Sequence, residues 1–209
     1  QHLYGLLPPT AAMLTARRVF STDFDGYSLR SLCLSSDEST HQQQLLLVKT
    51  MDGQVAGTYT TQSWTLQKRT GYGSQECFPF RIIPTVAAYR AVPSSSSTAG
   101  SVTRRQSTGD ADGTVYMSVT ADMLQFGMDG IKQTPEELAE SELGASGGAG
   151  EDVLSRRGGG PALYLNGDLD KGSSTGTVMY GSPPLLTSPG NDSTVNFEVA
   201  VVELWSLEA

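Results

Sequence analysis

The residues best suited to chemistry are a cysteine and the acidic residue before it, Cys77 and Glu76. A thiolate is a nucleophile that peroxide can oxidise, so Cys77 could serve a thiol-based peroxide sensor or antioxidant. Such a thiol needs electropositive surroundings, and Glu76 is acidic. Cysteine is also among the residue types most often buried, so a packed core thiol is the alternative that we favour. The same interpretation applies to Cys33. We expect Glu76 to be a buried or turn-facing carboxylate.

A second candidate is the acidic turn that contains Asp168, Asp170 and Gly172. Its spacing is similar to the start of a calcium-binding loop, but such a loop needs a bidentate glutamate at its twelfth position. This chain has Met179 there. The glycine run at 158–160 precedes a predicted strand rather than a helix, so it does not predict a phosphate site either. The sequence therefore predicts a capped turn.

The histidines do not complete a catalytic or zinc-binding pattern. A Ser-His-Asp hydrolase needs a histidine near a nucleophile, and neither His2 nor His41 lies close to a nucleophile-elbow motif. Two cysteines and two histidines at unrelated positions also lack the spacing of zinc ligands. We therefore expect no catalytic residues, no metal and no other cofactor, so the chain is not predicted to be an enzyme.

Charge and composition limit the kinds of partner. The 209 residues include 14 Lys and Arg against 22 Asp and Glu, for a formal net charge of −8. This acidic balance argues against nucleic acid as a partner. No apolar run approaches the roughly 18 residues that span a bilayer, so we expect no direct membrane insertion. With only two cysteines, a reducing cytoplasm is the expected compartment. Because the chain begins with Gln1, we expect it to be part of a longer protein.

Helix signals come early in the chain. Prolines 8 and 9 precede helix-forming residues at 11–14, and Ser28 can cap a helix whose buried face includes Leu29, Leu32 and Cys33. A polar loop is predicted at 35–44. The strongest hairpin signal is Asp52-Gly53 between apolar runs at 45–50 and 55–59, which predicts a type I′ turn. The first of these runs is apolar at consecutive positions, so it predicts a strand covered on both faces.

Other strand-like segments follow, at 18–22, 76–83, 86–92, 114–119, 123–126, 163–165, 177–180 and 196–205. Residues 168–174 are expected to turn the chain after the strand at 163–165. Short strands separated by turns, with a few short helices, predict a mainly β fold of the α+β class. We expect a sandwich of two antiparallel sheets flanked by the helices.

Low-complexity or disordered insertions are predicted at 93–113, which is rich in serine, and at 129–157, which contains a helix signal at Thr134-Pro135. We interpret 1–209 as a single domain.

Several short motifs, taken in order, resemble those of a TLDc domain. They are Phe20-Ser21-Thr22 with Gly26-Tyr27-Ser28-Leu29, the hairpin at 45–57, Trp64, Tyr72-Gly73-Ser74 with Glu76-Cys77-Phe78, the stretch at 158–174, and Phe197-Glu198 with Glu203-Leu204-Trp205. Each motif is weak alone, but together they span nearly the whole chain. The resemblance gives as candidate functional residues Glu76, Cys77, Asp168, Gly172, Ser173, Glu198, Glu203 and Trp205.

The resemblance implies a non-catalytic interaction module linked to oxidative-stress resistance. Its expected partners are subunits of the catalytic head and peripheral stalk of the vacuolar proton pump, the V-ATPase, whose assembly or activity it would regulate. The implied location is cytoplasmic, at membranes of acidic organelles and held there through the pump. Two alternatives remain, a peroxide sensor that acts through Cys77 and a trafficking or signalling scaffold that docks through 129–157. Both insertions depart from the family pattern, so contacts that relatives make through these regions are not carried over.

Overall fold

The computed structural model describes residues 3–39, 41–66, 71–91, 116–128, 160–190 and 192–209. The predicted insertions at 93–113 and 129–157, together with the helix signal at Thr134, lie outside the described residues.

Strands dominate the described part of the chain, as predicted. Within the described ranges, a 3₁₀ turn at Tyr4–Leu6 is followed by three short α-helices, which are α1 (Pro9–Ala12), α2 (Thr22–Asp25) and α3 (Leu29–Glu38). The described residues form ten strands, which are β1 (Thr15–Ser21), β2 (Gln44–Thr50), β3 (Val55–Thr60), β4 (Phe78–Ile83), β5 (Ala87–Ala88), β6 (Met117–Val119), β7 (Met123–Phe126), β8 (Leu163–Asn166), β9 (Lys171–Thr175) and β10 (Thr194–Glu208). All the strand pairs are antiparallel.

The last strand, β10, belongs to both sheets of a sandwich. Its first part pairs with β9, which continues through β8 and β7 to β6. Its second part lies between β1 and β2, and β2 continues through β3 and β4 to β5. The register shifts between Val199 and Val201, where the strand passes from one sheet to the other. The predicted fold class, an α+β sandwich that is mainly β, is therefore confirmed.

Buried side chains from both sheets form one hydrophobic core. Trp64, from the loop after β3, is fully buried, and its ring centroid lies 6.3 Å from that of Phe126 in β7. Phe126 in turn stacks on Tyr180 at 5.8 Å. Because aromatic side chains bury large apolar areas, these contacts join the two layers.

The predicted cap and buried face of helix α3 are confirmed, but the helix is longer than expected. The Ser28 hydroxyl accepts a hydrogen bond from the Ser31 N–H at 3.3 Å, and Leu29, Leu32 and Cys33 are buried. The helix continues to Glu38, so the loop predicted at 35–44 was wrong over its first four residues. The cause is a buried polar contact that composition alone does not reveal. The Ser36 hydroxyl donates to the side-chain oxygen of Gln44 in β2 at 2.6 Å and accepts from the backbone N–H of Trp64 at 2.6 Å.

The β2–β3 hairpin is confirmed, but its turn is not type I′. Of the two residues predicted to be central, only Gly53 has positive φ, at 85°, whereas a type I′ turn needs positive φ at Asp52 as well. The Gly53 N–H donates to the Thr50 carbonyl at 3.0 Å, so Met51 and Asp52 are the central residues of the turn that forms. The Thr50 hydroxyl donates to the Asp52 carboxylate and accepts from the Gln54 N–H. These hydrogen bonds favour the observed turn over type I′. Strand β2 is mostly buried along its apolar run, with Lys49 exposed near its end.

The stretch after the glycine run differs from the prediction in one respect. Strand β8 forms as expected, but only 167–170 turn the chain, and residues 171–175 form β9 between β8 and β10. The turn is short because Asn166 accepts hydrogen bonds from the backbone N–H groups of Asp170 and Lys171, both at 3.1 Å. Leu169 has φ of 52° and is fully buried. A left-handed leucine is costly, so we infer that its burial in the core offsets the strain.

Of two other predicted strands, one does not form and one is much shorter than predicted. Residues 177–180 form turns closed by a single bridge between Thr177 and Ser182, and the strand predicted at 86–92 is reduced to Ala87–Ala88. Apolar composition predicted both segments as strands, but a strand also needs a neighbour with free backbone groups. These pairings depend on distant parts of the chain.

Thr22 joins α2 to the point where β10 changes sheets. The Val202 N–H lies past the last pairing with β9 and just before the first with β1, at Glu203. It donates instead to the Thr22 hydroxyl at 3.0 Å, and Thr22 is only 2% exposed. The hydroxyl therefore takes the place of a missing strand partner.

Replacing Thr22 by valine should lower the free energy of unfolding by about 1–3 kcal/mol, because the Val202 N–H would stay buried without an acceptor. Thr22→Ser is the matched control, since it keeps the hydroxyl, and it should cost less. Urea unfolding followed by tryptophan fluorescence measures both variants. Equal stability of the valine and serine variants would contradict this role.

Gly172 should tolerate no side chain. A Cβ there would lie 2.4 Å from the Tyr164 carbonyl oxygen and 2.5 Å from the Phe197 ring. Gly172→Ala should therefore cost about 3 kcal/mol or more, since a backbone atom cannot move away as a flexible side chain can. Gly5→Ala is the control, because nothing lies within 4 Å of its Cβ position. A Gly172→Ala variant as stable as Gly5→Ala in thermal unfolding would show that β8 and β9 separate easily.

Candidate functional site

Cys77 is a packed core thiol in the residue just before β4. It is 0% exposed, and its Sγ lies 3.6 Å from the Thr61 hydroxyl and 3.8 Å from the Ser74 hydroxyl. Both distances are within hydrogen-bonding range for sulfur. The Cys77 N–H also donates to the Ser74 carbonyl at 3.0 Å, which closes the turn before the strand. A thiol enclosed in this way is not accessible to dissolved peroxide.

Glu76 was expected to be buried or turn-facing, and the structure places it exposed in a turn. It lies in the turn that ends at Cys77, and its N–H donates to the Ser74 hydroxyl at 3.3 Å. It lines a shallow, open depression of about 420 Å³ together with Leu14, His41, Gln42, Gln43, Thr61, Leu207 and Ala209. Cys77 does not line this depression, so the two neighbours in sequence face different environments.

Cys33 is also unsuited to redox chemistry. It is 2% exposed on the buried face of α3. Burial, with a smaller contribution from the nearby Asp37 carboxylate, raises the pKa of its thiol to about 12. The reactive thiolate is therefore rare at neutral pH. Neither cysteine forms a disulfide.

The candidate residues of β9 and β10 lie on neighbouring strands, but some are buried or paired within the sheet and others are exposed to solvent. Gly172 is buried opposite Phe197, and Ser173 pairs with Asn196 and Tyr164. These contacts are structural. Asp168 in the preceding turn and Glu198 on β10 are exposed, so their carboxylates face solvent.

Glu203 and Trp205 take part in a surface network with β1 and α2. The Glu203 carboxylate accepts from the Arg18 guanidinium at 3.1 Å and from the Trp205 indole N–H at 3.0 Å. The centre of the Arg18 guanidinium lies 4.7 Å from the centroid of the Phe24 ring. This network holds Phe24, which is 75% exposed, on a fixed support.

The predicted residues therefore do not converge on one pocket. Glu76 lines the depression near the end of β10, but none of the other candidate residues lines it. Among the residues that the structure describes, no three His, Cys, Asp or Glu side chains lie close enough to hold a metal ion. Within the same ranges, no helix is long and apolar enough to cross a membrane.

Sequence reasoning missed Arg18 and Phe24. Their contact joins a strand to a helical turn, and residue order does not predict it. One signal was available for Phe24, because an aromatic residue between two aspartates in a turn has little chance of burial.

Both thiols should resist modification in the folded protein at pH 8. With a pKa of about 12, Cys33 would be about one ten-thousandth thiolate at that pH, and Cys77 is enclosed. Ellman's reagent should therefore react slowly with the native protein and with two thiols after denaturation in guanidinium. The Cys77→Ser variant identifies the contribution of Cys33. Rapid reaction of one native thiol, absent in Cys77→Ser, would restore the peroxide-sensor alternative.

Comparison with known proteins gives a consistent result. The sequence model of the TLDc domain matches residues 1–208. Two similar curated proteins are both named TBC1 domain family member 24, one from Xenopus tropicalis and one from Xenopus laevis. The chain is 24% identical to the first over 225 residues and 24% identical to the second over 218 residues.

These matches cover 99% of the chain but only 36% of either relative, so the chain spans little more than a third of their length. The family match extends over almost every residue, from the opening helices through β10. The sandwich and the β2–β3 hairpin were expected from the sequence, whereas the sharing of β10 between the two sheets was not. The chain therefore belongs to the TLDc domain family, which is associated with oxidation resistance.

Proposed function

We propose that this chain is a non-catalytic interaction module that binds the V-ATPase and regulates its assembly or activity. Its partners are subunits of the catalytic head and the peripheral stalk, and it acts in the cytoplasm at the membranes of acidic organelles. The observation that carries this proposal is membership of the TLDc family over residues 1–208. The function in oxidation resistance would then follow from the pump rather than from chemistry within the domain.

The placement of the motif residues supports binding over catalysis. Gly172 and Cys77 are buried, whereas Glu76, Asp168 and Glu198 are exposed on three separate elements. A catalytic site brings such groups within hydrogen-bond reach of one reacting atom. Here the buried residues stabilise the sandwich and the exposed carboxylates belong to its surface. This is the arrangement expected of a rigid domain that presents turns to a partner.

Electrostatics should affect how fast the module finds the pump. The chain has a net charge of −8, and long-range attraction to a basic surface raises association rates more than affinity. Salt screens this attraction, with a Debye length of about 8 Å at physiological ionic strength. Association should therefore slow as salt is raised, while dissociation changes less.

The alternatives have less support. The peroxide-sensor alternative requires an accessible thiol, and Cys77 is 0% exposed. The scaffold alternative depends on 129–157, which lies outside the described residues. We therefore retain pump binding as the one proposed function.

The tagged chain should capture V-ATPase from detergent-solubilised membranes at near-physiological salt. Immunoblots for one subunit each of the catalytic head, the peripheral stalk and the membrane sector identify what is bound. Head and stalk without the membrane sector would indicate separation of the pump, and all three would indicate binding to the assembled pump. An unrelated acidic protein of similar net charge on the same resin controls for nonspecific attraction. Absence of all pump subunits from the chain's eluate would overturn the proposal.

A further inference from the structure

We propose that the turn formed by α2 and the residues after it is a docking surface for a basic segment of a partner protein. We call it the aromatic knuckle, and define it as Asp23, Phe24, Asp25 and Tyr27 together with the supporting Arg18. Only the expectation that this partner is a V-ATPase subunit rests on the proposed function.

The knuckle exposes two large rings within four residues. Phe24 is 75% exposed and Tyr27 is 51% exposed, whereas Phe20, at the end of the preceding strand, is 1% exposed. Single exposed apolar residues are common on protein surfaces. Two exposed aromatic side chains within four residues differ from such single residues, because aromatic anchors dominate the energetics of protein interfaces.

The exposure of Phe24 does not come from a loose loop, because three hydrogen bonds fix α2. The Ser21 hydroxyl accepts from the Asp23 N–H at 3.4 Å, and the Asp25 carboxylate accepts from the Ser21 N–H at 2.8 Å. Thr22 accepts from the Val202 N–H at 3.0 Å, which ties α2 to β10. A fixed backbone loses little entropy on binding, so the knuckle is organised in advance for a partner.

The Phe24 ring is also supported. The guanidinium of Arg18 lies 4.7 Å from the ring centroid and is itself held by Glu203 at 3.1 Å. Glu203 in turn accepts from Trp205 at 3.0 Å. The motif residues Glu203 and Trp205 therefore act as positioning residues for an exposed aromatic side chain.

The surrounding charge identifies the kind of partner. Asp23 and Asp25 flank Phe24, and both are exposed. The β8–β9 turn, with Asp168 and Asp170 exposed, is joined to the start of α3 by the Leu29 N–H, which donates to the Gly167 carbonyl at 3.0 Å.

Among the described residues of the neighbouring elements, two exposed basic side chains, Arg30 on α3 and Lys171 on β9, do not balance these four carboxylates. The Arg18 charge is already paired with Glu203. A lysine- or arginine-bearing segment with a recess for Phe24 fits this surface. A second copy of the chain, which carries a net charge of −8, would be repelled.

The test compares alanine variants of two exposed side chains. Phe24→Ala should weaken binding to purified V-ATPase at least tenfold, and Met13→Ala should change it less than twofold. Met13 is the matched control because it is 88% exposed and precedes the opposite end of β1. Phe24→Leu, which keeps an apolar side chain, should retain part of the affinity. Asp23→Lys should weaken binding further than Asp23→Asn. Unchanged melting temperatures would show that each variant is folded.

The outcomes separate the two proposals. If the parent chain binds the pump and Phe24→Ala binds equally well, the docking surface is overturned while the proposed function stands. If the parent chain does not bind the pump, the proposed function fails, and photo-cross-linking in cells then tests the knuckle alone. Benzoylphenylalanine at position 24, but not at position 13, should cross-link to a segment of another protein that contains lysine or arginine. A cross-link to a second copy, to a segment without basic residues or to nothing would overturn the docking surface.

Discussion

The structure depends on strand β10, which forms backbone hydrogen bonds with two different strands along one of its edges. Strand β10 pairs with β9 over its first residues and with β1 over its last, and β2 occupies its other edge. Neither β9 nor β1 can reach the backbone between them. Because a buried N–H without an acceptor is costly, the fold needs another acceptor at Val202, and Thr22 supplies it. The position of α2, and hence of Phe24, follows from this requirement.

Local patterns predicted much of the fold. The spacing of Leu29, Leu32 and Cys33 fixed the buried face of α3, and a turn signal between apolar runs identified the β2–β3 hairpin. The apolar alternation near the end of the chain identified β10, although the strand is longer than predicted and has 15 residues. In these cases the information lies within a few residues of the element that it specifies.

Long-range polar contacts could not be predicted in this way. The hydrogen bond between Ser36 and Gln44 extends α3, and that between Thr22 and Val202 closes the junction of the sheets. The first joins a helix to a strand that a loop separates from it, and the second joins residues 180 positions apart. Serine and threonine in a sequence favour caps and turns equally well. The candidate residues show the same division, since composition favoured a buried Cys77 but gave no sign of the Arg18–Phe24 contact.

The sharing of β10 between the two sheets also affects how the chain folds while it is being synthesised on the ribosome. Since β10 follows every other described strand, β2 and β9 emerge before their central partner exists. Each is then a temporary sheet edge with free backbone groups, which is the situation that promotes pairing between chains. Both strands carry an exposed lysine, Lys49 in β2 and Lys171 in β9. Lysine on an edge strand discourages such pairing, so these two charges would protect the nascent chain until β10 is made.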